Sequence, residues 1–195
     1  MFISFEGIDG SGKTTQAKLI YGELKKSGKC MLTKEPTQGD IGNFIKKLIK
    51  RSKINPMAVQ LLFAADRSFH LENLVKPKLA EGYTIITDRY LFSTIAYGKA
   101  SGIDETWLKS VNSNFMLPDI TIIFDIEPKI AMERIETRAK TQAYFEKVKF
   151  MEETRHMYLK LAKEYENCFV IEASKPTDTL KDEILSIIKN NAPIV

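Results

Sequence analysis

Short apolar runs alternate with longer stretches of helical period along the chain. FISFE from Phe2, CMLT from Cys30, YTIIT from Tyr83, ITIIFDI from Ile120 and CFVIE from Cys168 are brief and almost continuously hydrophobic. Such runs predict five strands of a parallel sheet covered on both faces. Helical patterns lie between them. One runs from a glycine-rich loop to about Ser27, and others from about Asp40 to Arg51, Met57 to Ala80, and Ser93 through Val111 with a break near Gly102. Pro128 stands at a first-turn position, where its missing N–H costs nothing, and opens a helix toward Arg138. A long helix is expected from about Tyr144 to Tyr165, and a last one from near Thr177.

The β/α alternation predicts an open α/β sheet flanked by helices, with ligands outside the carboxyl ends of the strands. At 195 residues the chain reads as one domain with a substantial core. The segment RIETRAKTQAYFEK, from Arg134, is rich in charge and lies between two helices. It reads either as a surface connection or as a lid over an active site, spanning about 137–147.

Composition changes this picture little. No apolar run is long enough to span a bilayer, and the start of the chain reads as a buried strand rather than a targeting segment. Cys30 and Cys168 sit in apolar runs, too few and too far apart for a metal cluster, and read as buried reduced thiols suited to the cytoplasm. The net charge of +4 is mild. In NFIKKLIKRSK, Ile45, Leu48 and Ile49 share a helical face with Ile41 and Phe44, while Lys46, Lys47, Lys50 and Arg51 lie opposite. A solvated helix face accounts for those lysines without nucleic acid.

GIDGSGKTT, beginning at Gly7, carries the strongest chemistry. Gly7, Gly12, Lys13 and Thr14 satisfy G-x-x-x-x-G-K-[ST], with a strand before and a helix after. The loop Gly7, Ile8, Asp9, Gly10, Ser11, Gly12, Lys13, Thr14 and Thr15 is thereby a candidate ATP cradle. Its N–H groups point at an anion, Lys13 reaches the β- and γ-phosphates, and the Thr14 hydroxyl holds Mg2+. The [NT]KxD guanine reader is missing, since TKEP at Thr33 has Pro where Asp is needed. The expected architecture is thus a three-layer P-loop NTPase fold with a short lid.

Two arginines are suited to the anionic chemistry that follows. In TIITDRY, Asp88 ends a strand as a Walker-B-like carboxylate does, for Mg2+ or its water, and Arg89 follows at the mouth of the site. In QLLFAADR, Phe63 and Arg67 stand four residues apart on one helix face. They read either as a base-stacking ring beside a polar reader or as a core Phe with a surface Arg.

FEGIDGSGKTTQ, TKEP, LLFAADR, TDRYLFSTIAYG, LPDITIIFDIEP and the closing IEAS together resemble the thymidylate kinase family. The resemblance runs nearly the whole chain. It implies conversion of dTMP to dTDP with ATP and Mg2+, a five-stranded parallel sheet, and a homodimer. It further implies that Phe63 stacks on thymine, that Arg67 meets the carbonyl edge of the base, and that Arg89 holds the dTMP phosphate. Ser93 and Thr94 would line the base, Tyr97 would exclude a ribose 2′-OH, and Asp9 would lie near the acceptor 3′-OH and the metal. Pro36, after Glu35, stands where the family often has a cis proline.

The chain also departs from the pattern. Lys34 replaces the arginine frequent before Glu-Pro, a point charge in place of a fork. Gly98 stands where many members have Gln. The lid has AYFE from Ala143 rather than a D-R-x-E-like element, and the loop at Gly7 lacks arginine. Arg134, Arg138 and Lys140 are the remaining cations, and Arg138 is the expected one for ATP. The expected catalytic set is Asp9, Lys13, Arg89 and Arg138. The alternatives are another pyrimidine nucleoside monophosphate kinase, acting on dUMP or more broadly, and a nucleotide-binding module without turnover.

Overall fold

The computed structural model describes residues 1–50, 54–135 and 142–192. Its strands are β1 (Phe2–Glu6), β2 (Cys30–Lys34), β3 (Thr84–Asp88), β4 (Ile120–Asp125) and β5 (Cys168–Glu172). They form one parallel sheet in the order β2-β3-β1-β4-β5. All five expected strands are present. In the central strands this hydrophobicity follows from burial on both faces: Phe2 and Ile85, paired on one face, are 1% and 0% exposed, and Ile3 and Ile86, paired on the other, are both 0% exposed.

The helices are α1 (Lys13–Ser27), α2 (Asp40–Leu48), α3 (Pro56–His70), α4 (Lys76–Ala80), α5 (Leu91–Ala100), α6 (Glu105–Asn112), α7 (Pro128–Ile135), α8 (Gln142–Glu164) and α9 (Thr177–Asn191). Helices α1 and α9 pack together on one side of the sheet, and α5 and α8 pack together with α3, α6 and α7 around them on the other. The result is the expected three-layer arrangement.

Local chemistry accounts for where the elements meet or miss their expected bounds. The segment from Met57 to Ala80 is not one uniform α-helix. A π-helical turn at Leu71–Val75 joins α3 to α4, and α3 starts at Pro56 because the Asn55 side chain accepts from Ala58 N at 3.2 Å. The break expected near Gly102 is real. Gly102 adopts φ +83°, and Asp104 then caps α6 by accepting from Trp107 N at 2.9 Å. Helix α2 ends at Leu48, short of Arg51, which lies outside the described residues. Its apolar face is only partly covered, with Ile45 at 0% but Phe44 and Ile49 at 48% and 50% exposure. Cys30 is buried as expected but Cys168 is half-exposed, near the sheet edge formed by β5.

Strand β1 lies between β3 and β4, so the loop that follows it opens where the chain's connections diverge to opposite faces, a common ligand position in such sheets. Pairing puts Lys34 level with Asp88, and Phe5 level with Asp88 from the other side. The carboxyl ends of β1, β2 and β3 therefore bring Glu6, Lys34 and Asp88 to one edge.

Candidate active site

The loop after β1 closes tightly because its glycines allow it. Gly10 has φ +78°, and a Cβ there would lie 2.4 Å from the Ala131 carbonyl oxygen on α7. Gly7 has φ +143°, with the Phe124 carbonyl oxygen 2.7 Å from the same hypothetical atom. Ile8 and Ser11 form the buried underside of the loop. Lys13 folds back over it, and its Nζ donates to Ile8 O at 2.8 Å and to Ser11 Oγ at 3.3 Å. Desolvation, reinforced by the nearby Arg89 charge, lowers the Lys13 pKa to about 7. Thr14 Oγ1 donates to Asp88 Oδ2 at 2.5 Å, so two candidate metal ligands from α1 and β3 converge.

A cavity of about 500 Å³ lies over this loop. Gly10, Gly12, Lys13, Thr14, Thr15 and Asp88 line it, and so do Lys34 and Arg134. Arg134 comes from the last turn of α7 and donates to Gly10 O and Ala173 O, both at 3.3 Å. The expected lid cation, Arg138, lies outside the described residues, as do residues 137–141 of the lid. Arg134 is the arginine of that group whose position against the loop is defined.

A second cavity, about 530 Å³ and mostly apolar, opens beside the first. Pro36, Phe63, Ser93, Thr94 and Tyr97 line it, so these sequence-selected residues are brought together. Tyr97 packs against Phe150 of α8, ring centroids 5.9 Å apart. Asp9, Glu35, Pro36 and Arg89 belong to the walls of both cavities. Lys34 belongs to the loop cavity alone. The Glu35–Pro36 bond is cis, as the family pattern suggested.

Arg89 stands at the junction. Its φ of +73° is rare for a residue with a side chain and carries a strain of about 1–3 kcal/mol. Thr87 Oγ1 donates to Arg89 O at 2.8 Å, and Arg89 N donates to Phe5 O at 2.9 Å, which hold this turn. The guanidinium donates to Gly7 O and Ser93 Oγ, both at 3.1 Å, to Tyr97 OH at 3.1 Å, and to the Asp9 carboxylate. Burial raises the Asp9 pKa, but Arg89 and Lys13 outweigh it and hold the carboxyl below its ordinary value.

Behind Arg89 lies a network that sequence reasoning did not reach. Glu6 is 0% exposed and accepts from Tyr90 N at 2.9 Å, Ser93 Oγ at 2.6 Å and Tyr158 OH at 3.2 Å. Desolvation raises its pKa, partly offset by Ser93 and Arg89. Tyr158 projects from α8, and its hydroxyl also meets Arg89 Nη1 at 3.4 Å. A carboxylate closing an otherwise apolar run, FISFE, was the available signal for Glu6. Tyr158 had none, because its partners lie far away in sequence.

Arg67 is not on the surface, contrary to one reading of its sequence context: it is 1% exposed and does not line the cavity. It lies one layer below, under Thr94. Its Nε and Nη2 donate to Glu35 Oε2 at 2.9 and 2.7 Å, Nη1 to Asn112 Oδ1 at 2.5 Å, and Nη2 also to Thr94 Oγ1 at 2.9 Å. His70 joins Glu35 Oε1 at 3.0 Å and Thr33 Oγ1 at 2.8 Å. Asp66 accepts from Thr37 N at 2.7 Å and Thr37 Oγ1 at 2.6 Å, pinning the chain just after Pro36. This buried lattice lies beneath the apolar cavity, whose wall includes its members Glu35 and Thr94.

A parallel α/β sheet whose first strand feeds a G-x-x-x-x-G-K-T loop, with an Asp-bearing strand beside it, defines a P-loop NTPase-type nucleotide-binding protein. Comparison with known proteins is narrower. The family described as thymidylate kinase matches residues 5–184. A probable thymidylate kinase of Pyrococcus horikoshii is 39% identical over 97% of this chain and 96% of its own length. Probable thymidylate kinase 1 of Saccharolobus solfataricus is 43% identical over 97% of each chain. The Sulfolobus acidocaldarius relative, also named a probable thymidylate kinase, is 40% identical over 95% of each. The chain belongs to the thymidylate kinase family.

Proposed function

We propose that the protein transfers the γ-phosphoryl group of ATP to dTMP, giving dTDP and ADP. The observation that carries this reading is the common wall: Asp9, Glu35, Pro36 and Arg89 border both the loop cavity and the apolar cavity. Two anionic substrates can then meet end to end with a guanidinium between them. ATP phosphates lie on the loop from Gly7 to Thr15, with Lys13 on the β- and γ-phosphates. dTMP lies in the apolar cavity, its base against Phe63 and Thr94, its sugar against Tyr97, and its phosphate toward Arg89 and Ser93.

An oxygen of the acceptor phosphate attacks the γ-phosphorus. The new P–O bond forms as the β,γ-bridging P–O bond breaks, and ADP leaves. A phosphate oxygen is already anionic at neutral pH, so no general base is required. Arg89, Lys13 and Arg134 offset the charge on the transferred group. Arg138 remains a further candidate on the donor side.

Thr14 and Asp88 fit a Mg2+ site, since a hydroxyl and a carboxylate converge beside the loop and this ion takes few protein ligands. When bound, Mg2+ supplies charge neutralisation at the nucleotide phosphates. The same reading includes a homodimer acting in the cytoplasm. No helix among the described residues is long and apolar enough to cross a membrane. Exposed Phe44, Met57, Leu61 and Phe69 on α2 and α3 are the side chains a second copy would cover.

ADP release measured with dTMP, dUMP, UMP and dCMP tests the activity. The reading predicts dTMP-dependent ADP formation, weaker with dUMP by about 10- to 200-fold for one methyl in an apolar pocket. UMP should be poorer still, because Tyr97 faces its 2′-OH. ADP release that ignores every acceptor would contradict the reading.

A further inference from the structure

The wall of the apolar cavity contains a polar side chain whose oxygen has no partner. Gln60, on α3, is 5% exposed and belongs to the cavity wall. Its Oε1 is shut off from solvent and has no hydrogen-bond partner among the described residues. Buried side-chain polar atoms are generally paired, and one left unpaired weakens the fold. A glutamine that only filled space here would be inferior to leucine or methionine of similar size.

Its surroundings explain why the amide fits. Phe63 lies three residues further along α3, on the same face and the same wall. Across from Gln60 stands Gly98 on α5. A Cβ at Gly98 would lie 3.3 Å from Gln60 Cδ and 2.5 and 2.9 Å from the Leu108 methyl carbons. The missing side chain at position 98 leaves the slot that the Gln60 amide uses. One turn earlier on α5, Thr94 Oγ1 already accepts from Arg67 at 2.9 Å, which directs its own hydroxyl hydrogen elsewhere. The cavity thus offers an aromatic ring, a hydroxyl and an amide whose oxygen is unpaired.

We propose that Gln60 is a base-reading residue whose side-chain amide pairs with the imide edge of the acceptor base. This rests on reading the cavity as the site of a thymine nucleotide. An imide presents a ring N–H between two carbonyls, and a primary amide is its planar complement. The amide oxygen accepts from the ring N–H, and the amide nitrogen donates to the neighbouring carbonyl. Rotation about the last torsion, which is broad for glutamine, brings either atom forward. The unpaired oxygen then gains its partner only when the base is bound.

The test compares the parental protein with Gln60→Leu, using dTMP and N3-methyl-dTMP, by steady-state ADP release and by thermal unfolding with and without nucleotide. The variant should unfold at the same temperature as the parent or higher without nucleotide. Its KM for dTMP should rise about tenfold or more, with kcat falling less than KM rises. N3-methylation should weaken binding to the parent strongly and to the variant much less. Gln60→Met, unbranched and apolar, serves equally if the leucine variant does not fold. A parental KM in both variants, or an equal methylation penalty in parent and variant, overturns the role of Gln60 while leaving the acceptor cavity intact. A parental protein that releases no ADP with dTMP overturns the acceptor reading, and this inference with it.

Discussion

Two arginine–carboxylate pairs lie at the apolar cavity, and they differ in almost every respect except chemistry. Arg67–Glu35 is sealed, with side chains 1% and 2% exposed. Arg89–Asp9 stands at the opening, 19% and 67% exposed. Arg67 has ordinary helical backbone and a full set of neutral and charged acceptors, which tie it into the layer beneath the apolar cavity. Arg89 has a left-handed backbone and partners that a phosphate could replace, Asp9 above all. On the proposed function, the same side chain is a structural fastener where water is excluded and a charge-handling group where two cavities meet.

The contrast predicts a separation of effects. Arg67→Met strands the Glu35 carboxylate in the interior, and urea unfolding should show a loss of about 3–5 kcal/mol. Adding Glu35→Gln should recover part of it. Arg89→Ala should leave the urea midpoint nearly unchanged while lowering kcat/KM by about 10²–10³-fold, which is ~2.7–4 kcal/mol of barrier. If the two substitutions damaged stability equally, the division between fastener and charge handler would be lost.

Lys13 sharpens the donor side of the comparison. Its pKa of about 7 in the folded chain lies below the 10.5 of an ordinary lysine. The unfolded chain therefore binds more protons between those values. This site's contribution to stability is complete above the upper value and shrinks as pH falls toward the lower one. ATP phosphates restore the charge, so binding at pH 8 should take up about one proton, costing roughly 1.4 kcal/mol of affinity per pH unit above 7. Calorimetry in buffers of different ionisation enthalpy reads this directly. The uptake should vanish at pH 6 and in Lys13→Met.

The smallest effect concerns the link from α8. Tyr158→Phe removes one hydroxyl from the group around Glu6, Ser93 and Arg89. It should lower kcat by the equivalent of about 0.5–1.5 kcal/mol without altering the KM for ATP. A change confined to stability would mean that the hydroxyl merely satisfies Glu6.

The donor side was nearly all legible in the sequence, because a phosphate cradle is built from consecutive backbone groups and local glycines. Strands β1, β3 and β4 were legible for a similar reason, since burial on both faces leaves an unbroken apolar run. The acceptor floor was not. Arg67 and His70 come from α3, Glu35 from the segment after β2, Thr94 from α5 and Asn112 from α6, and nothing local tells a buried arginine from a surface one. Glu6 and Tyr158 were missed on the same ground, being partners 152 residues apart. Helical spacing offered Phe63 as one of two readings, resemblance to the family singled it out and added Thr94, and their neighbour Gln60 came only from the packing of α3 against Gly98.

The central claim is that the loop cavity and the apolar cavity are two halves of one site joined at Arg89. Titration with adenosine and thymidine joined 5′ to 5′ through a pentaphosphate measures this most directly. The account predicts one molecule bound per chain, displaced by ATP and by dTMP alike, and much weakened in Arg89→Ala. A compound displaced by only one of the two nucleotides, or bound twice per chain, would contradict it.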